Sequence, residues 1–343
     1  PIAKFRTMKL RVYLGVSIIE IAVMFLISYG IGLVFDLSLV DSFFLGTALA
    51  SSSTVIIAKV LGDLGELHEE SSLIMMSVLV TEDLVVVLIL SILTSVVGQG
   101  ASSFVIISWT LGKALLFLVI TSLVGIFIIP KAVDWISRPD IKVKWISRPK
   151  IDLKAEPEIQ NEHDELLILE SLGICFALSL IGNSVGLSVA IGAFLAGVFI
   201  ASSKSASRVA VLTYPIKDMF AAIFFVSMGA MIDVTQFRAF LIPALVITVL
   251  MIIGKTVGCG LGTKLFGYDA KTALKVGFGM GQIGEFGLIV VQAGQSLGVI
   301  SSFLFSTIGV AVGLSSFISP YMIRYSNKIE LTRLPPFLKR FLK

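Results

Sequence analysis

The chain has 343 residues, 56% of them hydrophobic and 15% charged, with a mean hydropathy of +0.98 and a net charge of +4. A water-soluble domain is nearer one-quarter charged, so this composition excludes a soluble globular protein and reads as an all-α polytopic membrane protein seated in a lipid bilayer. The basic residues are scattered among loops, which excludes a nucleic-acid interface. The two cysteines, Cys175 and Cys259, lie inside apolar runs, which argues against a disulfide framework or a zinc site.

Ten apolar runs are candidate spans, most of them near or above the ~20 residues a bilayer requires. The first, 12–34, carries Glu20 near its centre. The second, 41–59, is interrupted by Ser51, Ser52, Ser53 and Thr54. The third, 71–97, holds Glu82 and Asp83 side by side in its middle, and the fourth, 104–129, is plain. A polar linker, 130–165, follows; it contains a tandem near-repeat, Trp-Ile-Ser-Arg-Pro at 135–139 and again at 145–149. Trp and Arg at this spacing suit an interfacial anchor, and a duplication in a tolerant loop explains them equally well. The fifth and sixth runs, 166–180 and 187–202, are short and share a turn placed at Gly182–Ser184. The seventh is 209–232, and the eighth, 240–266, carries Lys255 at its centre. The ninth, 270–298, holds Gly277, Gly279, Gly281, Gly284 and Gly287 with Gln282 and Glu285; so many glycines, each about 1 kcal/mol worse than Ala in a helix, predict local unwinding. The tenth is 301–325, and a basic tail, 327–343, follows. His68 and His163 fall in polar loops.

Loop charge sets the orientation. With the N-terminus in the cytoplasm, 24 of the 27 Lys and Arg residues fall on cytoplasmic segments; Arg238 falls outside, and Lys113 and Lys255 lie within spans. The expectation is a multi-pass protein of the cell membrane with both ends of this chain cytoplasmic.

A carboxylate at the middle of a span is costly, and a neighbouring one raises the cost. Such pairs persist where a proton or a moving cation compensates them. Glu20, the Ser51–Thr54 interruption, Glu82, Asp83, Lys255 and the glycine-rich interruption all fall at one depth. Spans one to three read plain, interrupted, carboxylate-bearing; spans eight to ten read lysine-bearing, interrupted, plain, in the opposite direction through the membrane. That is the pattern of an inverted repeat with two discontinuous helices crossing at the midplane. Three spans precede the second triplet and none precedes the first, so about three further N-terminal spans are expected ahead of this sequence.

The stretches Leu45-Gly-Thr-Ala-Leu-Ala-Ser-Ser-Ser-Thr54, Thr81-Glu-Asp83, Leu187-Ser-Val-Ala-Ile-Gly-Ala-Phe-Leu-Ala-Gly197, Phe224-Phe-Val-Ser-Met-Gly229 and Gly281-Gln-Ile-Gly-Glu-Phe286 together resemble the monovalent cation:proton antiporter-2 family. The resemblance runs through nearly the whole chain. It implies a homodimer of the inverted-repeat sodium/proton antiporter fold. It further implies first-repeat core helices and a linking helix in 1–129, a cytoplasmic linker in 130–165, dimerisation helices in 166–235, second-repeat core helices in 236–326 and a basic cytoplasmic tail in 327–343. It also implies Asp83 as the ion- and proton-binding carboxylate, with Glu82 beside it and Ser53 and Thr54 at the first break, Lys255 as the basic partner, and Glu285 as a supporting charge. Ser51, Ser52, Gly281, Gln282 and Gly284 would form the helix breaks. Two features depart from the pattern: Glu82 stands where the family commonly has Asp or Gln, and within this sequence only the short basic tail 327–343 follows the last span, where Kef-type potassium members usually carry a nucleotide-binding domain. Glu20 has three readings: an ion ligand, as some archaeal relatives have in the corresponding span, a partner of Lys255, or a polar lining group.

The function this implies is exchange of Na⁺ for H⁺, with K⁺/H⁺ exchange of Kef type as the alternative. No enzymatic activity, no cofactor and no metal beyond the transported cation is expected. Burial and Lys255 act on the Asp83 charge in opposite senses, and the acidic Glu82 points to more than one proton per cation. A cation channel and a non-transporting sensor are the readings from other classes; the internal repeat argues against the first and the intact charged cluster against the second.

Overall fold

The computed structural model describes residues 10–98, 104–136, 162–185, 189–232, 235 and 237–326. The chain divides into two compact units, one formed by 1–98 with 228–343 and the other by 99–227. All described regular structure is helical, as expected where every backbone amide must find its partner without help from water.

The first unit contains α1 (Leu10–Val34), α2 (Leu39–Ala50), α3 (Thr54–Asp63) and α4 (Glu70–Gly98), then α9 (Phe237–Leu265), α10 (Ala270–Gly279), α11 (Glu285–Ser296) and α12 (Ser302–Ser326). Each half is a full helix, a broken pair and a full helix, and the two halves are closed by the same devices. After α1 the chain turns at Asp36 with φ 53°, and Leu37 N–H donates to the Gly32 carbonyl; after α9 it turns at Gly267 with φ 91°, and Tyr268 N–H donates to Thr263. These are left-handed caps, a conformation that Gly and Asp tolerate best. Two residues later Ser38 caps α2, accepting from Asp41 N–H, and Asp269 caps α10, accepting from Thr272 N–H. Gly65 and Gly298 end α3 and α11 with the same positive φ.

α1 lies along α9 because α9 carries Gly254, Gly258 and Gly262 at four-residue spacing. A Cβ on Gly258 would meet Glu20 Cα at 3.1 Å, and one on Gly262 would meet Val16 Cα at 3.0 Å. Small residues in that rhythm let helix backbones approach closely. Around this seam Val16, Ile57, Leu61, Ile74, Val78, Val276 and Met280 form a buried core.

The second unit contains α5 (Phe104–Ile136), α6 (Glu162–Ser184), α7 (Val189–Ala201) and most of α8 (Ala206–Ala230). Its core gathers Val133, Leu167, Ile200, Val209 and Leu212. Asp134 accepts from Lys204 and Ser205 N–H ahead of α8, and Arg208 Nε donates to Asp164 at 2.9 Å.

Three local readings of the sequence change. Helix α5 continues through Pro130 to Ile136, so the first residues assigned to the linker are helical; Pro130 is tolerated there as in other membrane helices. The turn placed at Gly182–Ser184 lies inside α6, with α7 beginning at Val189. Helix α5, read as a linking helix grouped with the first spans, falls in the second unit. The second copy of the Trp repeat and the tail 327–343 lie outside the described residues.

Among the described residues, seven stretches are long and apolar enough to cross a bilayer, including Leu39–Asp63 taken across its break. The pair α10–α11 is too short helix by helix to count.

Candidate ion site

The site is built where the two broken pairs meet. Helix α2 stops at Ala50 and α3 starts at Thr54; helix α10 stops at Gly279 and α11 starts at Glu285. The intervening strands of chain are stitched together directly. Gly284 N–H donates to the Ser51 carbonyl at 3.0 Å, Gly287 N–H donates to Ser51 Oγ at 3.0 Å, and Gln282 Nε2 donates to the Ser53 carbonyl at 3.2 Å. Ile283 N–H donates to Ser315 Oγ of α12 at 3.2 Å, a contact that no pattern in the residues foretells.

The glycines act here by closeness more than by unwinding. Gly277 and Gly279 are helical, within α10. A Cβ on Gly284 would sit 2.5 Å from the Ser52 carbonyl carbon and oxygen, and one on Gly277 would sit 2.4 Å from the Thr256 carbonyl oxygen. Gly281 faces the end of Met322, and Gly287 faces the Ala48 carbonyl. Crossing backbones at this separation leave no room for a side chain.

Lys255 holds the first break. Its ammonium is fully buried and donates to the carbonyls of Ala50 and Ser51 at 3.1 Å each and to Ser52 Oγ at 2.6 Å. Those carbonyls belong to the C-terminal end of α2, the negative end of its dipole. Glu20 Oε1 lies 3.3 Å and Glu82 Oε2 3.9 Å from the same nitrogen, with all three side chains at 0% exposure. Of the three readings of Glu20, the structure shows contact with Lys255, and Glu20 stands nearer to it than Glu82 does.

Asp83 points elsewhere. It is only partly buried, accepts a hydrogen bond from Thr54 Oγ1 at 3.4 Å, and keeps Oδ1 buried with no hydrogen-bond donor. Thr54 is the first residue of α3, so Asp83 faces the positive end of that helix. Glu285, first residue of α11 and half buried, is near enough for its charge to act on Asp83. Ser53 is occupied otherwise: its hydroxyl caps α3 by accepting from Ile56 N–H at 3.4 Å. The twelve residues singled out from the sequence therefore come together as one locus with two parts, a closed cluster around Lys255 and a more open carboxylate at Asp83.

Comparison with known proteins follows the same lines. The sequence model described as "Sodium/hydrogen exchanger, transmembrane" matches residues 1–325. The chain is 29% identical to the Na(+)/H(+)-K(+) antiporter GerN of Bacillus cereus over 91% of this chain and 75% of the relative. It is 29% identical to a Na(+)/H(+) antiporter of Enterococcus hirae over 92% and 77%, and 28% identical to K(+) efflux antiporter 4 of Arabidopsis thaliana over 83% and 45%.

Proposed function

This chain belongs to the family of transmembrane sodium/hydrogen exchangers, and from that premise we propose that it exchanges Na⁺ for H⁺ by alternating access around Asp83. The observation that carries the reading is the position of Asp83 beside the crossing of two helix breaks, with one oxygen bonded to Thr54 and the other without a donor. A carboxylate and a hydroxyl are hard oxygen donors suited to an alkali cation. Bare, the carboxylate is too costly to carry past an apolar barrier. Loaded with a proton or with a monovalent cation it is neutral, and it holds one or the other, never both. That exclusivity enforces exchange.

The wider reading has its own supports. The matched caps at Asp36 and Gly267, at Ser38 and Asp269, and at Gly65 and Gly298 favour an internal repeat, here proposed to be inverted. The loop charges favour cytoplasmic ends in a cell membrane, and the resemblance favours a homodimer. K⁺ is the second reading, favoured by relatives whose names carry K(+).

The test is dissipation of an imposed pH gradient in proteoliposomes on addition of Na⁺ or of K⁺. Wild-type protein is expected to respond to Na⁺, and Asp83→Asn to either ion not at all while folding normally. Exchange by Asp83→Asn at the wild-type rate would remove Asp83 from the mechanism.

A further inference from the structure

The C-terminal part of α12 carries a column of exposed aromatic side chains. Phe317, Tyr321 and Tyr325 stand at four-residue spacing on one face of the helix and are 71%, 62% and 62% exposed. Exposed rings near the end of a span mark the membrane–water interface, where a phenol keeps its ring apolar and its hydroxyl wet. Tyr321 and Tyr325 join Met322, Arg324 and Phe278 of α10 around a hollow of about 450 Å³. Hollows of that size take a small molecule or part of a larger one.

Arg324 is the one charged group among these lining residues. It is exposed, lies in the last turn of α12 and has no ion pair among the described residues. The carboxylates of the α3–α4 connection do not serve it: Glu69 and Glu66 hold Lys275 of α10, at 2.7 and 3.7 Å. The sequence then continues with the same sign, since 327–343 contains Lys328, Arg333, Lys339, Arg340 and Lys343 against Glu330 alone. A basic cluster directly after a span, on the cytoplasmic side proposed above, attracts anionic lipid. A tail of net positive charge is a poor counter-ion for Arg324. A phosphate diester is a good one, because the guanidinium fork matches two phosphate oxygens.

The floor of the hollow belongs to the second break. Phe278 is the last residue but one of α10, and a Cβ on Gly281 would meet Met322 Cε at 2.9 Å. An occupant of the hollow therefore touches the side chains at the end of α10.

We propose that this hollow seats an anionic phospholipid of the cytoplasmic leaflet and that the bound lipid braces the second break. The phosphate lies on Arg324, with the tyrosine hydroxyls as further donors. The upper part of an acyl chain lies along Phe278 and the exposed rings of α12. The seat goes beyond the exchange reading and takes from it only the cytoplasmic side of this end; Asp83 has no part in it.

The test uses the full chain, delipidated in a neutral detergent, with phosphatidylglycerol, phosphatidylcholine or inorganic phosphate added. Phosphatidylglycerol is expected to raise the melting temperature in proportion to its occupancy, and the other two to leave it unchanged. Arg324→Gln is expected to melt like wild type without lipid and to need about fivefold more phosphatidylglycerol for the same shift. Replacing Lys339, Arg340 and Lys343 together by Gln is expected to weaken the response less than Arg324→Gln does. Hydrogen exchange over 278–284 is expected to slow on adding phosphatidylglycerol to wild type. An equal shift with phosphatidylcholine would mean an apolar surface without headgroup recognition, and an equal shift with inorganic phosphate a free-phosphate site; either overturns the seat. So does an undiminished response of Arg324→Gln, or a larger loss in the tail variant, which would place the lipid on the tail. A raised melting temperature with unchanged exchange over 278–284 overturns the brace. Detergent has no sides and these readouts need no transport, so failure of the Asp83 reading or of the orientation shows itself separately.

Discussion

At the scale of single residues, Lys255 is the keystone of the site. It satisfies three acceptors of the first break and, among the described residues, is the only counter-charge to two fully buried carboxyl groups. Lys255→Ala is expected to destabilise the protein by roughly 3–5 kcal/mol, because the groups left behind stay buried and unpaired. Adding Glu82→Gln to that variant removes one of the stranded carboxylates and is expected to recover part of the loss. Thermal melts in detergent check both statements; a double variant no better than Lys255→Ala would show that Glu82 and Lys255 do not interact. Identity at these positions was legible, since charge in an apolar run stands out. Partnership was not: 3.3 Å to Glu20 against 3.9 Å to Glu82 depends on how α1, α4 and α9 pack.

At the scale of elements, the α1–α9 seam and the α10 cap each carry an expectation. Gly258 and Gly262 face backbone atoms of α1, which cannot swing aside, whereas Gly254 faces the flexible ends of Ile27 and Met24. Gly258→Val and Gly262→Val are each expected to cost about 1–3 kcal/mol by overpacking, and Gly254→Ala less, although its nearest atom is closer. Equal melting temperatures for all three would count against the seam. Asp269, exposed at the start of α10, is hydrogen-bonded by the Thr272 side chain and accepts from Thr272 N–H at 3.2 Å, and these bonds, the side-chain one foremost, hold its carboxyl below the ordinary aspartate range. The folded state thus favours the charged form. Its contribution is fully present above the unfolded value of about 3.9 and is lost as pH falls through the lowered folded value. Asp269→Ala is expected to cost about 1 kcal/mol at neutral pH. Its stability and that of wild type should then converge in acid; a gap that persists there would mean the cap does not act through its charge.

At the scale of the whole molecule, the orientation rests on charge. Lys204 and Arg238 are both exposed and fall on opposite sides of the proposed membrane. In a background with Cys175 and Cys259 replaced by Ser, a cysteine at 238 is expected to react with an impermeant thiol reagent from outside the cell. One at 204 is expected to react only after permeabilisation. Labelling of both from outside would reverse or break the proposed topology.

Several properties were fixed by the order of residues alone. Apolar runs of bilayer length separated by basic loops leave a helical membrane protein as the solution, since helices bond their own backbone internally. A serine run and a glycine cluster inside such runs mark where helices break, because those residues weaken a helix wherever it packs. Gly254, Gly258 and Gly262 were also present to be read as a close-packing stripe, as were Phe35-Asp36-Leu37-Ser38 and Phe266-Gly267-Tyr268-Asp269 as matching connections. What the tertiary structure decided is which groups meet. Only packing brings Glu20 of one helix, Glu82 of another and Lys255 of a third to a single point. Only the crossing of two backbones brings the Lys255 ammonium to the break and leaves Asp83 apart from that cluster. Hydrogen bonds act over about 3 Å, and residues more than two hundred positions apart in sequence reach that distance through the fold and by no local rule.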